Sequence, residues 1–324
     1  MAIFRSIHDP GLGEKYLDNN TRIINKDGSF NVQRKGLDTF WQNTYYFLIN
    51  MSWTRFLALI FSAYVLINVF FGLIYWLTGV EHLRGAENHH EFDPFFNALF
   101  FSFQTFTSLG YGGMVPEGMV TNIISVTEAF VGLSSFALIT GLLYGRFSRP
   151  SSRILFSRNA LIAPFGENDR SLQFRIVNRR HNVLMELESR VMLMCVDLSG
   201  QTTDRKYYVL NLQLAFIHFF ALNWTLVHHI NEDSPLYGMS EKMLKDADAE
   251  ILILLKGFDD TFGQVVYQRY SYKYSEIVHG AKFSKPYSTD KLGRTVIDVN
   301  KIHDYELLKS EPETATGSMA ETVN

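Results

Sequence analysis

The chain is poor in cysteine, in charge and in repeated sequence. Its single cysteine, Cys195, excludes a disulfide framework and a thiolate metal cluster. Charged residues make up 19% of 324 positions, short of the quarter usual for soluble domains. A net charge of −3 gives nucleic acid no electrostatic footprint to bind. Eight prolines and ordinary glycine usage exclude a collagen-like or largely disordered chain. Neither G-x-G-x-x-G nor G-x-x-x-x-G-K-[ST] occurs, so no nucleotide-binding fingerprint is present. No Ser/His/Asp constellation stands out, and the chain is not read as an enzyme. Aromatic residues, by contrast, reach 15%, with 27 phenylalanines. A charge deficit joined to an aromatic excess places part of the chain in lipid.

That part is easily found. Phe56 to Leu77 contains no charged residue and, at ~1.5 Å rise per residue, spans ~33 Å, enough to cross a hydrocarbon core. Trp53, Tyr75 and Trp76 flank it as interfacial aromatics do. Met119 to Gly145 is also long enough to cross and holds one ionisable residue, Glu128. A carboxylate at that depth must face protein or water, so this span has an inward face. Between them, Pro94 to Phe106 reaches only ~20 Å as a helix, the length of a re-entrant half-helix. Asp93 suits its N-cap and Pro94 its first turn. Arg34, Lys35 and Arg55 lie before the first span, and Arg146, Arg149, Arg153 and Arg158 after the second. The intervening segment has Arg84 against several acids, so both termini are expected in the cytoplasm of a multi-pass cell-membrane protein.

Directly after the half-helix comes Thr107-Ser108-Leu109-Gly110-Tyr111-Gly112. A dehydrated potassium ion needs rings of backbone carbonyls in place of its water shell. Successive carbonyls turn to one side only if the backbone visits positive φ, which Gly110 and Gly112 reach without penalty. Ser108 adds a hydroxyl ring, and Tyr111 is expected to wedge the loop against surrounding aromatics. The C-terminal end of the half-helix favours a cation near it. One loop supplies a quarter of each ring, so four copies are expected around one axis.

Residues 151–303 are different in character. Runs such as Arg190–Val196, Tyr207–Leu214, Asn223–His228 and Glu250–Leu255 are short and β-prone, separated by turn-like groups. They predict an all-β sandwich. The expected fold is therefore a two-transmembrane-helix pore with a re-entrant pore helix, joined to a β-sandwich. Its parts are an N-terminal segment 1–36, an interfacial helix 37–50, a pore domain 51–150, the sandwich 151–303 and a polar, disordered tail 304–324. Within the pore domain the spans cover about 53–77 and 119–145, the pore helix 94–106 and the filter 108–112. Leu37, Trp41, Tyr45 and Leu48 recur at helical spacing and make 37–50 amphipathic.

The chain resembles the inward-rectifier potassium channels, in particular their prokaryotic branch. The resemblance rests on the filter and on Tyr144-Gly145-Arg146-Phe147-Ser148-Arg149-Pro150. It rests also on Asn223–His228 with Ser234-Pro235-Leu236-Tyr237-Gly238, and on Arg269-Tyr270-Ser271-Tyr272 with Glu276-Ile277. It covers roughly residues 30–303. Ser108 and Leu109 stand where the family's TVGYG or TIGYG filter has Thr and Val or Ile. The resemblance implies passive K+ conduction by a homotetramer, an immunoglobulin-like sandwich in the cytoplasm, and a slide helix at 37–50. It implies pore-lining and gating roles for Phe136, Thr140 and Tyr144, which share one helix face, with Gly132 and Gly141 as hinges.

Arg146, Arg149, Arg153 and Arg158 are candidates for anionic lipid headgroups, where the family binds phosphoinositides. Phe136 occupies the position of the acid that attracts Mg2+ and polyamine blockers in strong rectifiers. Glu186 matches a cytoplasmic pore acid, Glu188 lies nearby, and Lys256 replaces another, so weak polyamine block is expected. The family's eukaryotic Glu–Arg pair behind the filter falls at Gln104 and Met114, and Glu128 is a candidate substitute. No cofactor is expected beyond the permeant ion and lipid. Two alternatives are a membrane-anchored sandwich with a non-conducting filter and a two-span channel gated by calcium or nucleotide. His89-His90 and His228-His229 are set aside as metal ligands, because adjacent strand residues face opposite ways and the first pair lies in an outer loop. Cys195 is read as a core residue.

Overall fold

The structure, a computed structural model, describes residues 8–14, 22–33, 35–36, 40–86, 93–149, 152–166, 169–180, 182–197 and 204–308. Arg34, Leu37, His89, His90, Pro150, the Trp41 side chain and the tail beyond Leu308 lie outside them. The chain divides into two compact units, residues 34–149 and residues 1–33 with 150–324.

In the first unit, α1 (Phe40–Asn50) precedes α2 (Trp53–Thr78). A two-residue strand, β1 (Leu83–Arg84), leads towards α3 (Pro94–Phe106). A matching strand, β2 (Val115–Pro116), precedes α4 (Met119–Phe147). Helices α2 and α4, with 26 and 29 residues, are long and apolar enough to cross a membrane. Helix α3 begins as the sequence predicts: the Asp93 carboxylate accepts from the Phe95 amide at 2.9 Å, with Pro94 at the first position. It packs on α2 through rings, Tyr75 on Phe101 at 4.9 Å and Tyr64 on Phe103 at 5.5 Å. Gly72 makes the approach possible, since a Cβ there would lie 3.1 Å from the Leu99 Cα.

The second unit is built on β3 (Ile154–Phe156), β4 (Ala160–Phe165), β5 (Asp169–Asn178), β6 (Leu184–Asp197) and β7 (Asp204–Val209). It continues with β8 (Phe216–Phe219), β9 (Trp224–Ile230), a short α5 (Glu241–Asp246), β10 (Glu250–Asp259) and β11 (Gln264–Lys273). Five short strands follow: β12 (Ile277–His279), β13 (Ala281–Phe283), β14 (Tyr287–Thr289), β15 (Thr295–Ile297) and β16 (Tyr305–Leu307). One sheet has the order β11-β10-β6-β7, with β8 on β6. The other has β12-β4-β5-β3, with β9 on β5. Their inward residues share one core, including Phe174, Ile176, Leu187, Leu193, Ile251 and Tyr272. Alternation is clean in β9, where Trp224, Leu226, His228 and Ile230 are buried.

β10 is instead apolar on both faces, because its outer face is also covered. Ile23 and Ile24 of the N-terminal segment pack with Met194, Val196, Tyr207 and Leu252. The Ile23 and Ile24 amides donate to the buried Glu250 carboxylate at 3.0 and 3.4 Å. Ser271 Oγ donates to the Ile24 carbonyl at 2.7 Å, and Arg22 and Lys26 pair with Glu276. The N-terminal segment, expected as a part of its own over 1–36, thus belongs to the β-rich unit through residue 33. At the other end, a tail from Asp304 is overtaken by β16, which pairs with β13 through Phe283↔Tyr305 and Ala281↔Leu307.

Candidate functional site

Thr107 closes α3. Its amide and its Oγ1 both donate to the Phe103 carbonyl, at 3.2 and 2.7 Å. The Leu109 amide reaches back to the Gln104 carbonyl at 2.9 Å. From here every second residue is left-handed: Ser108 has φ 52°, Gly110 58° and Gly112 78°. Alternation of hand turns successive carbonyls to one side, the arrangement a dehydrated cation requires. Gly110 and Gly112 take this conformation freely, whereas Ser108 is held there at a cost of about 1–2 kcal/mol. The loop is tied at its far end by pairing of β1 with β2 and by Gly85. A Cβ on Gly85 would fall 2.0 Å from the Gly113 carbonyl oxygen.

Among the described residues nothing covers this loop. A Cβ on Gly110 or Gly112 would meet open space, and Tyr111 is 76% exposed. Tyr111, expected to wedge the loop, is thus left largely exposed by the described residues. Below the loop, a cleft is lined by Phe106, Thr107, Ser108, Gly132, Leu133 and Phe136.

On α4, Phe136, Thr140 and Tyr144 are all exposed, on one face, and the Thr140 hydroxyl donates to the Phe136 carbonyl at 2.8 Å. The two glycines expected as hinges differ. A Cβ on Gly132 would sit 2.1 Å from the Phe106 carbonyl oxygen, while Gly141 faces open space. Gly132 is thus the contact on which α3 rests, and α4 runs unbroken through both.

The four arginines also part company. Arg146 Nη1 donates to the Leu48 and Ile49 carbonyls at 2.5 and 3.1 Å, and Nη2 to the Met51 carbonyl at 2.8 Å. Its guanidinium lies over Trp53 and Phe56, 4.6 and 4.4 Å from the ring centroids. These are the last carbonyls of α1 and those just after it, which a helix leaves unmatched. Arg146, expected among the headgroup ligands, is therefore the C-terminal cap of α1. Gly145 beside it gives Tyr45 and Ile49 room to approach. Arg149 donates to Asn50. Arg153 and Arg158 are exposed on the β-rich unit.

Glu186 and Glu188, expected on one regular strand face, flank the buried Leu187. The register jumps from Lys256↔Glu188 to Phe258↔Met185, so two β6 residues oppose Gly257 in a bulge. Glu186 takes the left-handed position there, with φ 51°. Glu188 pairs with Arg190 at 2.8 Å and stands opposite Lys256. One of the two candidate acids is thus compensated by two cations.

His228 faces inward, its ring between the Asn211 carbonyl and Ser234 Oγ, each at 2.7 Å. The Asn211 carbonyl requires a proton on Nδ1, and the neutral ring that burial favours then accepts from Ser234 at Nε2. Burial pulls its pKa below the ordinary value. His229 faces the other way, onto Asp169 at 2.7 Å. Among the described residues no group of three His, Cys, Asp or Glu is placed to hold a metal. Cys195 is buried, and burial pushes its thiol up to about 12, which makes it an inert core residue.

Sequence reasoning could not place the partners of Glu128. Tyr75, Ser102 and Glu128 are fully buried together between α2, α3 and α4. The Tyr75 hydroxyl donates to Glu128 Oε2 at 2.7 Å, and Ser102 donates to Oε1. Gln104 and Met114 form no ion pair, being neutral residues.

The sequence is similar to known families and proteins. A family model described as "Inward rectifier potassium channel C-terminal domain" matches residues 154–323, and one described as "Ion channel" matches residues 63–149. The inward rectifier potassium channel Kirbac3.1 of Paramagnetospirillum magnetotacticum is 33% identical over 87% of this chain and 95% of its own. The G protein-activated inward rectifier potassium channel 2 of Mus musculus is 30% identical over 94% of this chain and 76% of its own. The ATP-sensitive inward rectifier potassium channel 12 of Gallus gallus is 26% identical over 93% and 75%.

Proposed function

The chain belongs to the inward-rectifier potassium channel family, a family of channels and not of enzymes, and on that premise we propose that it conducts K+ passively through a homotetrameric pore. The filter is Thr107 to Gly112. One observation carries the reading: left-handed backbone at Ser108, Gly110 and Gly112, in a loop that the described residues leave bare. Four such loops complete carbonyl rings that no single copy can form. The open apolar groove between α2 and α4, lined by Phe61, Ile67, Leu138 and Leu142 among others, supports the same assembly, with lipid or neighbouring copies filling it.

Both termini lie in the cytoplasm, following the arginines around the spans. Phe136 and Tyr144 ring the inner end of the conduit and close it by dewetting. Polyamine and Mg2+ block is weak, because Phe136 offers no charge and Glu188 is compensated by Arg190 and Lys256. Arg149, Arg153 and Arg158 attract anionic headgroups, each by about 1 kcal/mol near the surface. Arg146 is withdrawn from that role by its bonds to α1.

The test uses the full-length protein in liposomes and planar bilayers. Rubidium uptake that barium stops, and a reversal potential near the potassium equilibrium value against sodium, are the expected results. Tyr144→Ala should raise basal flux. Absence of flux from a well-formed tetramer would favour a non-conducting, membrane-anchored scaffold instead.

A further inference from the structure

Glu128 is a carboxylate with no accessible surface on a helix that crosses the membrane. An ionisable group at that depth needs full hydrogen bonding, because lipid offers it none. Each of its oxygens accepts one hydroxyl, Tyr75 from α2 and Ser102 from α3. Three helices therefore meet at one side chain. Ser102 Oγ also lies 3.0 Å from the Asn68 carbonyl of α2, and Asn68 is itself fully buried.

The contact has a second point one turn further along both helices. Ser102 meets Glu128, and four residues on, the Phe106 carbonyl meets Gly132. Helix α3 is thus fixed to α4 at two places that share one face of each helix. Phe106 is the last residue of α3 and is followed at once by Thr107 and Ser108. A shift or rotation of α3 at Ser102 is carried within one turn to the base of the filter, where Ser108 already holds a strained φ.

From this geometry we propose that Glu128 is a positioning residue for the filter: by accepting from Tyr75 and Ser102 it sets how far α3 stands from the axis, and so how well the carbonyl rings discriminate K+ from Na+. This deepens the potassium-conduction reading and rests on it. The hydrogen bonds, not the net charge, are the active element. A glutamine at this position can accept from Tyr75 with its oxygen and donate to Ser102 with its nitrogen, while the Ser102 proton turns to the Asn68 carbonyl.

The experiment measures the K+/Na+ permeability ratio from reversal potentials of full-length protein in bilayers, with assembly checked by size exclusion. Glu128→Leu should lower the ratio by about tenfold or more, the scale of one or two buried hydrogen bonds lost. Glu128→Gln should keep it within about threefold, since both contacts are remade. An assembled Glu128→Leu channel with the parent ratio would overturn the proposal. So would Glu128→Gln falling as far as Glu128→Leu, since charge rather than hydrogen bonding would then be at work. If Glu128→Leu does not assemble, the paired change Tyr75→Phe with Ser102→Ala removes both donors. A lowered ratio supports the proposal and an unchanged one overturns it. A parent protein that conducts nothing would count against the conduction reading instead, so the two failures are told apart.

Discussion

The β-rich unit and the pore unit distribute the same residue types in opposite ways. In the first, the space between the two sheets is filled by apolar side chains such as Phe174, Ile176, Leu187, Leu193 and Ile251. In the second, Phe61, Leu66, Phe130, Leu138 and Tyr144 stand outside, while Asn68, Ser102, Thr121 and Glu128 are inside. The first unit solves its hydrophobic problem within one chain, as water demands. The second leaves large apolar side chains exposed, as lipid allows, and spends its interior on hydrogen bonds that water is not there to make.

The contrast can be broken most forcefully at its self-sufficient end. Leu193 is fully buried in the sheet core. Leu193→Ala should cost about 2–5 kcal/mol of stability, read by denaturant unfolding followed at Trp224. A loss under about 1 kcal/mol would mean that the core is not closed within the chain.

The next effect separates two glycines. Gly132→Val drives side-chain atoms into the Phe106 carbonyl and should cost about 1–3 kcal/mol in the assembled pore, seen as a fall in rubidium flux of tenfold or more. Gly141→Ala meets open space and should leave flux within about twofold, Ala being the better helix former. Equal effects at both would restore bending as the reason for Gly132.

The smallest effect is acidification. Burial holds the His228, His279 and His303 rings below their ordinary value of 6.5. In that range the unfolded chain binds more protons than the folded one, so stability rises with pH there. It is complete above about 6.5 and is lost as pH falls through the lower folded values. The melting temperature of the β-rich unit should drop on acidification from pH ~7.5 to ~5.5. His228→Gln should flatten that slope. A slope unchanged by the substitution would remove His228 as a contributor.

Much of this was legible in the sequence. The two spans, the Asp93–Pro94 start of α3 and the glycine spacing of the filter depend on local chemistry and patterning, which sequence carries directly. His228 and His229 face opposite ways as strand geometry requires. What escaped depends on distant partners. The docking of Ile23 and Ile24 on Glu250 leaves only a short apolar pair as its mark in the N-terminal segment. The bulge at Glu186 has no glycine or asparagine on its own strand to announce it. The strand at Tyr305–Leu307 has no signal apart from its partner β13. Arg146 looked like its neighbours because a positive charge beside a span reads the same whether it meets a lipid phosphate or a helix end.

That last ambiguity has a consequence. The bonds Arg146 makes belong to two helices at once, the end of α4 and the end of α1, so neither can be displaced without straining the other. Free-energy coupling of this kind is reciprocal. A ligand that displaces α1 would thereby bias α4, and by the same free energy a displacement of α4 would change how tightly α1 holds that ligand.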